Sequence, residues 1–290
     1  TTSATGASTI STGTIAPVSS AGITRSLALE LNQDSFTSSG LGSQASKDEF
    51  GAGWMREGVP RLVSQGGTAA NPDFVSVVFG GKSARVFQSV PGAGNPTFVR
   101  ANGLGTTDTF AIEGSQYVYR TANGDTYRFN MLDSSVPALS RGGLVSQSDS
   151  SGNSVAYSFN ADGSTALITS SVAGQSTPTE RQEYVRLPAG DVNAGKVSRI
   201  DIKRGDGTLV RSVSMGYFDG TRTFGKLGQL ATITTRDATG TILDSKAYRY
   251  GDGPSGNSLL QYLFDSESVR RVTAAGLDIT TTAKLDDAQI

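Results

Sequence analysis

The chain has 290 residues, long enough to bury a core as one large domain or two ordinary ones. It carries 25 basic and 26 acidic groups, so the net charge of −1 gives no basic excess for binding nucleic acid or an anionic membrane. With no His and no Cys, this chain excludes disulfides, thiolate nucleophiles, imidazole bases, Cys/His zinc sites and Ser-His-Asp triads, leaving only hard, oxygen-liganded metals.

Residues 1–24 form a first segment, rich in Ser and Thr, with no charged residue before Arg25. Polar low-complexity tracts order only against a surface, and Thr/Ile-rich chain suits a sheet edge. The start at Thr1 with no apolar signal core leads us to expect a processed or cut terminus. No apolar run reaches the ~18 residues of a membrane span.

Residues 25–290 form the second unit, where apolar residues recur with a period of two. In chain order these are Val75, Val77 and Phe79; Tyr117 and Tyr119; Tyr127 and Phe129; Val155, Tyr157 and Phe159; Leu209, Val213, Met215 and Tyr217; Tyr248 and Tyr250. Each set puts its bulk on one face of a strand. Turns built on Gly124, Gly152, Gly163, Gly207 and Gly240, each preceded by Asn or Asp within three residues, separate them. Glycine totals 36 of 290 residues against a usual ~7%, which supports the same reading. Asx-Gly turns between alternating strands predict consecutive antiparallel hairpins, hence an all-β fold. Helix signals come late. Asp265 or Ser266 caps a short helix that Gly276 stops, and a second helical start at Asp286–Ile290 has no end, so we expect the natural chain to continue.

Taken in order, several motifs carry a resemblance. Phe50-Gly51-Ala52-Gly53-Trp54 precedes Pro60-Arg61-Leu62-Val63; Gly124-Asp125-Thr126-Tyr127-Arg128-Phe129 sets a turn glycine before Tyr-x-Phe. An Asp149, Gly152, Asn153 turn leads to Tyr157 and Phe159, and Tyr248-Arg249-Tyr250-Gly251-Asp252 matches Tyr-x-Tyr-Asp with one residue inserted. From Arg25 to Ile290 the chain resembles the RHS/YD-repeat family, the long β-rich repeat proteins of bacterial surfaces and toxins. The resemblance implies a strip of hairpins that winds into a spiral shell in full-length members, with Phe50, Gly51, Gly53, Trp54, Tyr127, Phe129, Tyr157, Phe159, Tyr248 and Tyr250 as structural anchors. The family's self-cleaving core and toxin payload are not in this chain.

The chemistry on offer is sparse. Trp54, Tyr117 and Tyr127 would serve a carbohydrate-binding face if exposed, but at strict alternation such rings more often fill a core. Arg204-Gly205-Asp206 spells an integrin-type tripeptide, yet sits in a turn that already needs those residues. The acidic turns at 149–153 and 160–162 lack the late bidentate carboxylate of a calcium loop, so Asx-turn bonding explains them; Gly251–Asn257 is the best remaining oxygen-rich loop. Gly80-Gly81-Lys82-Ser83 lacks the upstream glycine of a phosphate loop and reads as a hairpin turn. The adjacent carboxylates Asp48-Glu49 and Asp286-Asp287 are common in solvated loops and do not by themselves make an acid–base pair.

We therefore expect a non-enzymatic, exported β-scaffold at the cell surface or outside the cell, with no cofactor and no metal. Its expected partners are further copies of itself through the N-terminal segment, or a C-terminal payload beyond residue 290, with no nucleic acid and no membrane span. Alternatives are a cocoon segment enclosing a C-terminal toxin, and a carbohydrate-binding adhesin.

Overall fold

The computed structural model describes residues 9–15, 27–32, 48–80, 83–90, 96–101, 107–252, 258–282 and 285. The second helical start at 286–290, most of the 251–257 loop and all of the 1–24 segment except 9–15 lie outside them.

Strands β8 (Thr109–Glu113), β9 (Gln116–Arg120), β10 (Thr126–Asn130), β11 (Leu144–Ser148), β12 (Ser154–Phe159) and β13 (Thr165–Ser171) run in sequence order. They continue as β14 (Glu180–Arg186), β15 (Val197–Arg204), β16 (Leu209–Tyr217), β17 (Leu230–Asp237), β18 (Ile242–Asp252) and β19 (Ser258–Phe264). Together they make one 12-stranded antiparallel sheet, open at both ends, with β8 and β19 as its edges. This is the consecutive-hairpin, all-β architecture that the alternation predicts.

The turns explain why each strand folds back on the last. In five loops, 121–125, 149–153, 160–164, 204–208 and 237–241, the first residue's N–H donates to the carbonyl of the fifth, at 2.8–3.0 Å. The fourth residue is Gly in each, and its N–H donates back to the first residue's carbonyl at 2.9–3.1 Å. Those glycines, Gly124, Gly152, Gly163, Gly207 and Gly240, have φ between 86° and 92°. This is the three-residue hairpin in which a type I turn is closed by a left-handed residue.

Two small sheets precede the large one. β1 (Thr9–Ser11), β2 (Leu29–Asn32) and β3 (Trp54–Arg56) form the first; β4 (Pro60–Gln65), β5 (Phe74–Phe79), β6 (Ser83–Val90) and β7 (Thr97–Arg100) form the second. Both lie on the same face of the large sheet. Leu27, Leu29, Leu31, Phe50 and Trp54 pack with Ile200, Val213, Met215, Ile233, Tyr248 and Tyr250 over β15–β18. Leu62, Val75, Val77 and Phe87 pack with Phe110, Tyr117, Tyr119, Tyr127, Phe129, Val155 and Tyr157 over β8–β13. The ladder register keeps these residues on one side, as in Phe110↔Tyr119↔Tyr127 and Tyr184↔Ile200↔Val213.

Among the described residues the opposite face carries one helix, α1 (Ser266–Ala274), whose N-cap Asp265 accepts from Ser268 N–H at 2.9 Å. Its Val272 packs with Ala247, Phe264 and Ile279. Arg249 crosses beneath, donating to the carbonyls of Ile279 at 2.6 Å and Thr282 at 2.9 Å, with its guanidinium 4.2 Å from the Phe224 ring. Among the described residues no helix is long and apolar enough to cross a membrane.

Candidate functional site

The covered face of the large sheet is where the chain concentrates its chemistry. Its attachment point is the turn from Asp48 to Trp54. Gly51 has φ +95°, and a Cβ there would lie 2.9 Å from both the Gly228 carbonyl oxygen and the Leu230 nitrogen. Only glycine lets the turn approach the β16–β17 loop so closely, and the approach is sealed by Ala52 N–H donating to Gly228 O at 3.3 Å. Gly53, φ +75°, completes the reversal that drives Phe50 and Trp54 into the core from either end.

Trp54 Nε1–H donates to the Tyr250 hydroxyl at 2.9 Å, and that hydroxyl donates to the Leu230 carbonyl at 2.9 Å. The indole also meets the Tyr248 ring edge-on at 5.1 Å. Burial pushes both tyrosine hydroxyls up, Tyr248 and Tyr250 alike, so neither ionises in the ordinary range.

A second node ties the same turn to the middle of the sheet. Glu49 accepts from Arg186 Nη2 at 2.6 Å and from Thr165 N–H at 3.1 Å, while its own carbonyl accepts from Val197 N–H at 2.8 Å. Arg56 Nη1 donates to the Tyr184 hydroxyl at 2.6 Å. Tyr184 packs against both cores, and burial raises its hydroxyl to about 12. The face between the two cores is therefore polar. Gln182 and Glu180 are buried there and hydrogen-bond each other at 3.1 Å.

The residues singled out from the sequence are distributed as follows. Phe50, Trp54, Tyr248 and Tyr250 meet in the first core; Tyr127, Phe129 and Tyr157 are buried in the second, with Phe159 half-buried against it. The inserted Gly251 of the Tyr248–Asp252 motif is paired regularly with Leu259, and the register shift between Arg249 and Tyr250 places its extra residue, Gln261, on β19. In the Arg204-Gly205-Asp206 turn Gly205 packs against the β13–β14 loop, where a Cβ would collide with the Pro178 carbonyl oxygen, while Arg204 and Asp206 are exposed. Asp149 and Asp162 turn their carboxylates onto their own loops, accepting from Ser151, Asn153 and Ser164 N–H groups at 2.8–2.9 Å. Trp54, Tyr117 and Tyr127 are 1%, 0% and 8% exposed, which removes the basis of the carbohydrate-binding reading.

Glu49, Arg56, Tyr184 and Arg186 were not legible as a group. Glu49 and Arg186 stand 137 positions apart and Arg56 and Tyr184 stand 128 apart, with no motif to link them.

No described protein family and no curated protein matches the sequence. Solved structures do match the fold. A chain in the crystal structure of TcdB2-TccC3-Cdc42 is similar with a TM-score of 0.51 and 11% identity, over 85% of this chain and 16% of that one. A chain of TcdB2-TccC3 is similar with a TM-score of 0.49 and 10% identity, over the same 85% and 16%. This chain thus spans 16% of the length of these two chains. The likeness is one of fold, and the hairpin strip is RHS/YD-repeat-like.

Proposed function

We propose that the chain is a non-enzymatic wall segment of a larger YD-type scaffold, exported from a bacterial-type cell. The observation that carries this reading is the strict sequential order of β8 to β19, open at both edges. Such a strip grows by adding hairpins, and each added hairpin buries a former edge. Covering one face with β1–β7 gives the strip two layers, the minimum for an independent core. In the TcdB2-TccC3-Cdc42 structure the similar region is 16% of a longer chain. By the same arrangement, this segment would share its walls with further YD-type sequence and with a payload beyond residue 290.

A surface fibre built by donating the N-terminal segment to a neighbouring copy is the second reading. Thr9–Ser11 pairs antiparallel with Leu29–Asn32 of its own chain, and Lys246 Nζ donates to Thr12 O at 2.7 Å, so this stretch is already engaged. The two readings separate by light scattering on the purified chain with and without residues 1–8. A wall segment keeps a monomeric mass in both forms. A concentration-dependent oligomer that disappears on removing residues 1–8 would establish the fibre reading instead.

A further inference from the structure

We propose that the cavity enclosed by β3, β4 and the covered face of the large sheet is a binding site for a small oxyanion, a carboxylate or phosphate-type group held by Arg56 and Arg61. The cavity has a volume of about 90 Å³ and its walls include Trp54, Arg56, Arg61, Tyr157 and Tyr184. A water needs roughly 10–15 Å³ measured this way, so there is room for several waters or one phosphate-sized group.

The guanidinium groups are under-used. Arg56 is 7% exposed, and while Nη1 is taken by Tyr184, its buried Nη2 donates to nothing. Arg61 gives Nη2 to the carbonyls of Leu139 and Arg141, and its buried Nε has no acceptor. Among the described residues neither makes an ion pair. Burial lowers Arg61 to about 10, outweighing the opposing attraction of the Glu49 carboxylate.

The acid on the cavity wall is already committed. Glu49 faces Arg186 at 2.6 Å and Thr165, and its charge also acts on Arg61, so one carboxylate is shared among the arginines around the cavity. Glu30 touches the wall at Gly80 and has a partner of its own. Buried charges are normally paired, and waters would fill the donors without supplying the missing charge. A planar guanidinium fork matches carboxylate and phosphate oxygens, so an oxyanion satisfies both requirements. Bound there, it would join β3 to β4 and so tie the two small sheets together.

The test is calorimetric titration of the intact chain near neutral pH with sodium phosphate, sulfate or acetate, each at matched chloride ionic strength. We expect one saturable site, with phosphate and sulfate against acetate distinguishing a tetrahedral from a planar ligand. Arg56→Gln should weaken binding about tenfold or more, and Arg61→Lys, which keeps the charge but loses Nε, should also weaken it. Arg199→Gln removes an exposed guanidinium that pairs with Asp201 and does not line the cavity, and should keep the affinity within about threefold. No saturable heat with any of the three salts, or equal binding by wild type and both arginine variants, would overturn the proposal. Equal loss in Arg199→Gln and Arg56→Gln would also overturn it, because that pattern reports a general charge effect rather than a lost ligand contact.

Discussion

At the scale of single residues, the hairpin loops are held by carboxylates as well as by glycines. The Asn153 side chain beside Asp149 and the Ser164 hydroxyl beside Asp162 hold those carboxyls below the usual carboxylate range. The Thr208 N–H does the same for Asp206, and the Thr239 hydroxyl for Asp237. A depressed folded pKa adds stability that is fully present above the unfolded value, about 3.9, and is lost as pH falls through the folded one. The urea midpoint should therefore be level from about pH 7 to 5 and fall steadily towards about pH 2. The acid-sensitive part should shrink in a combined Asp149→Asn, Asp237→Asn variant. A midpoint that stays level to pH 2 would show that these turns do not couple to folding.

Among the elements, β3 and the turn before it decide how the first small sheet docks. At Gly51 two costs combine, a left-handed backbone and a Cβ that would press on the Gly228 and Leu230 backbone. Gly240 has the same sign of φ, +92°, with nothing within 4 Å of its would-be Cβ. Gly240→Ala should cost about 1 kcal/mol, and Gly51→Ala about 1–2 kcal/mol more, read as urea midpoints at unchanged slope. Equal losses would mean that the close approach contributes nothing and only the backbone angle matters. The anchor residues make sense in the same terms. Tyr250 links Trp54 to the Leu230 carbonyl, so one buried hydroxyl satisfies a donor from β3 and an acceptor from β17.

Across the whole molecule, protection should follow coverage. Strands β15 to β17 are paired on both sides and lie under the first small sheet, whereas among the described residues β19 is paired on one side only, with Tyr262 and Leu263 exposed. Amides of β15–β17 should exchange with deuterium at the global unfolding rate, and those of β19 should exchange faster through local opening. Equal protection of β19 and β16 would require a further partner on that edge.

The meander was legible because its causes are local. Tyr127 and Phe129 alternate within one strand, and the loop from Asp149 to Asn153 closes on hydrogen bonds spanning four residues, so a short window of sequence contains the whole instruction. The same holds for α1, where Asp265 caps the helix and Gly276 at φ +72° follows its end. The pairing of Trp54 with Tyr250, 196 positions later, and of Glu49 with Arg186 has no such window. Those partners are chosen by which apolar surfaces remain uncovered once the strip has formed, and by the need to neutralise polar groups that the covering buries. The residue order by itself determined that this chain is a run of antiparallel hairpins. Only the tertiary structure decided which face of the strip is covered, by which small sheets, and that Arg56 and Arg61 line one cavity beneath them.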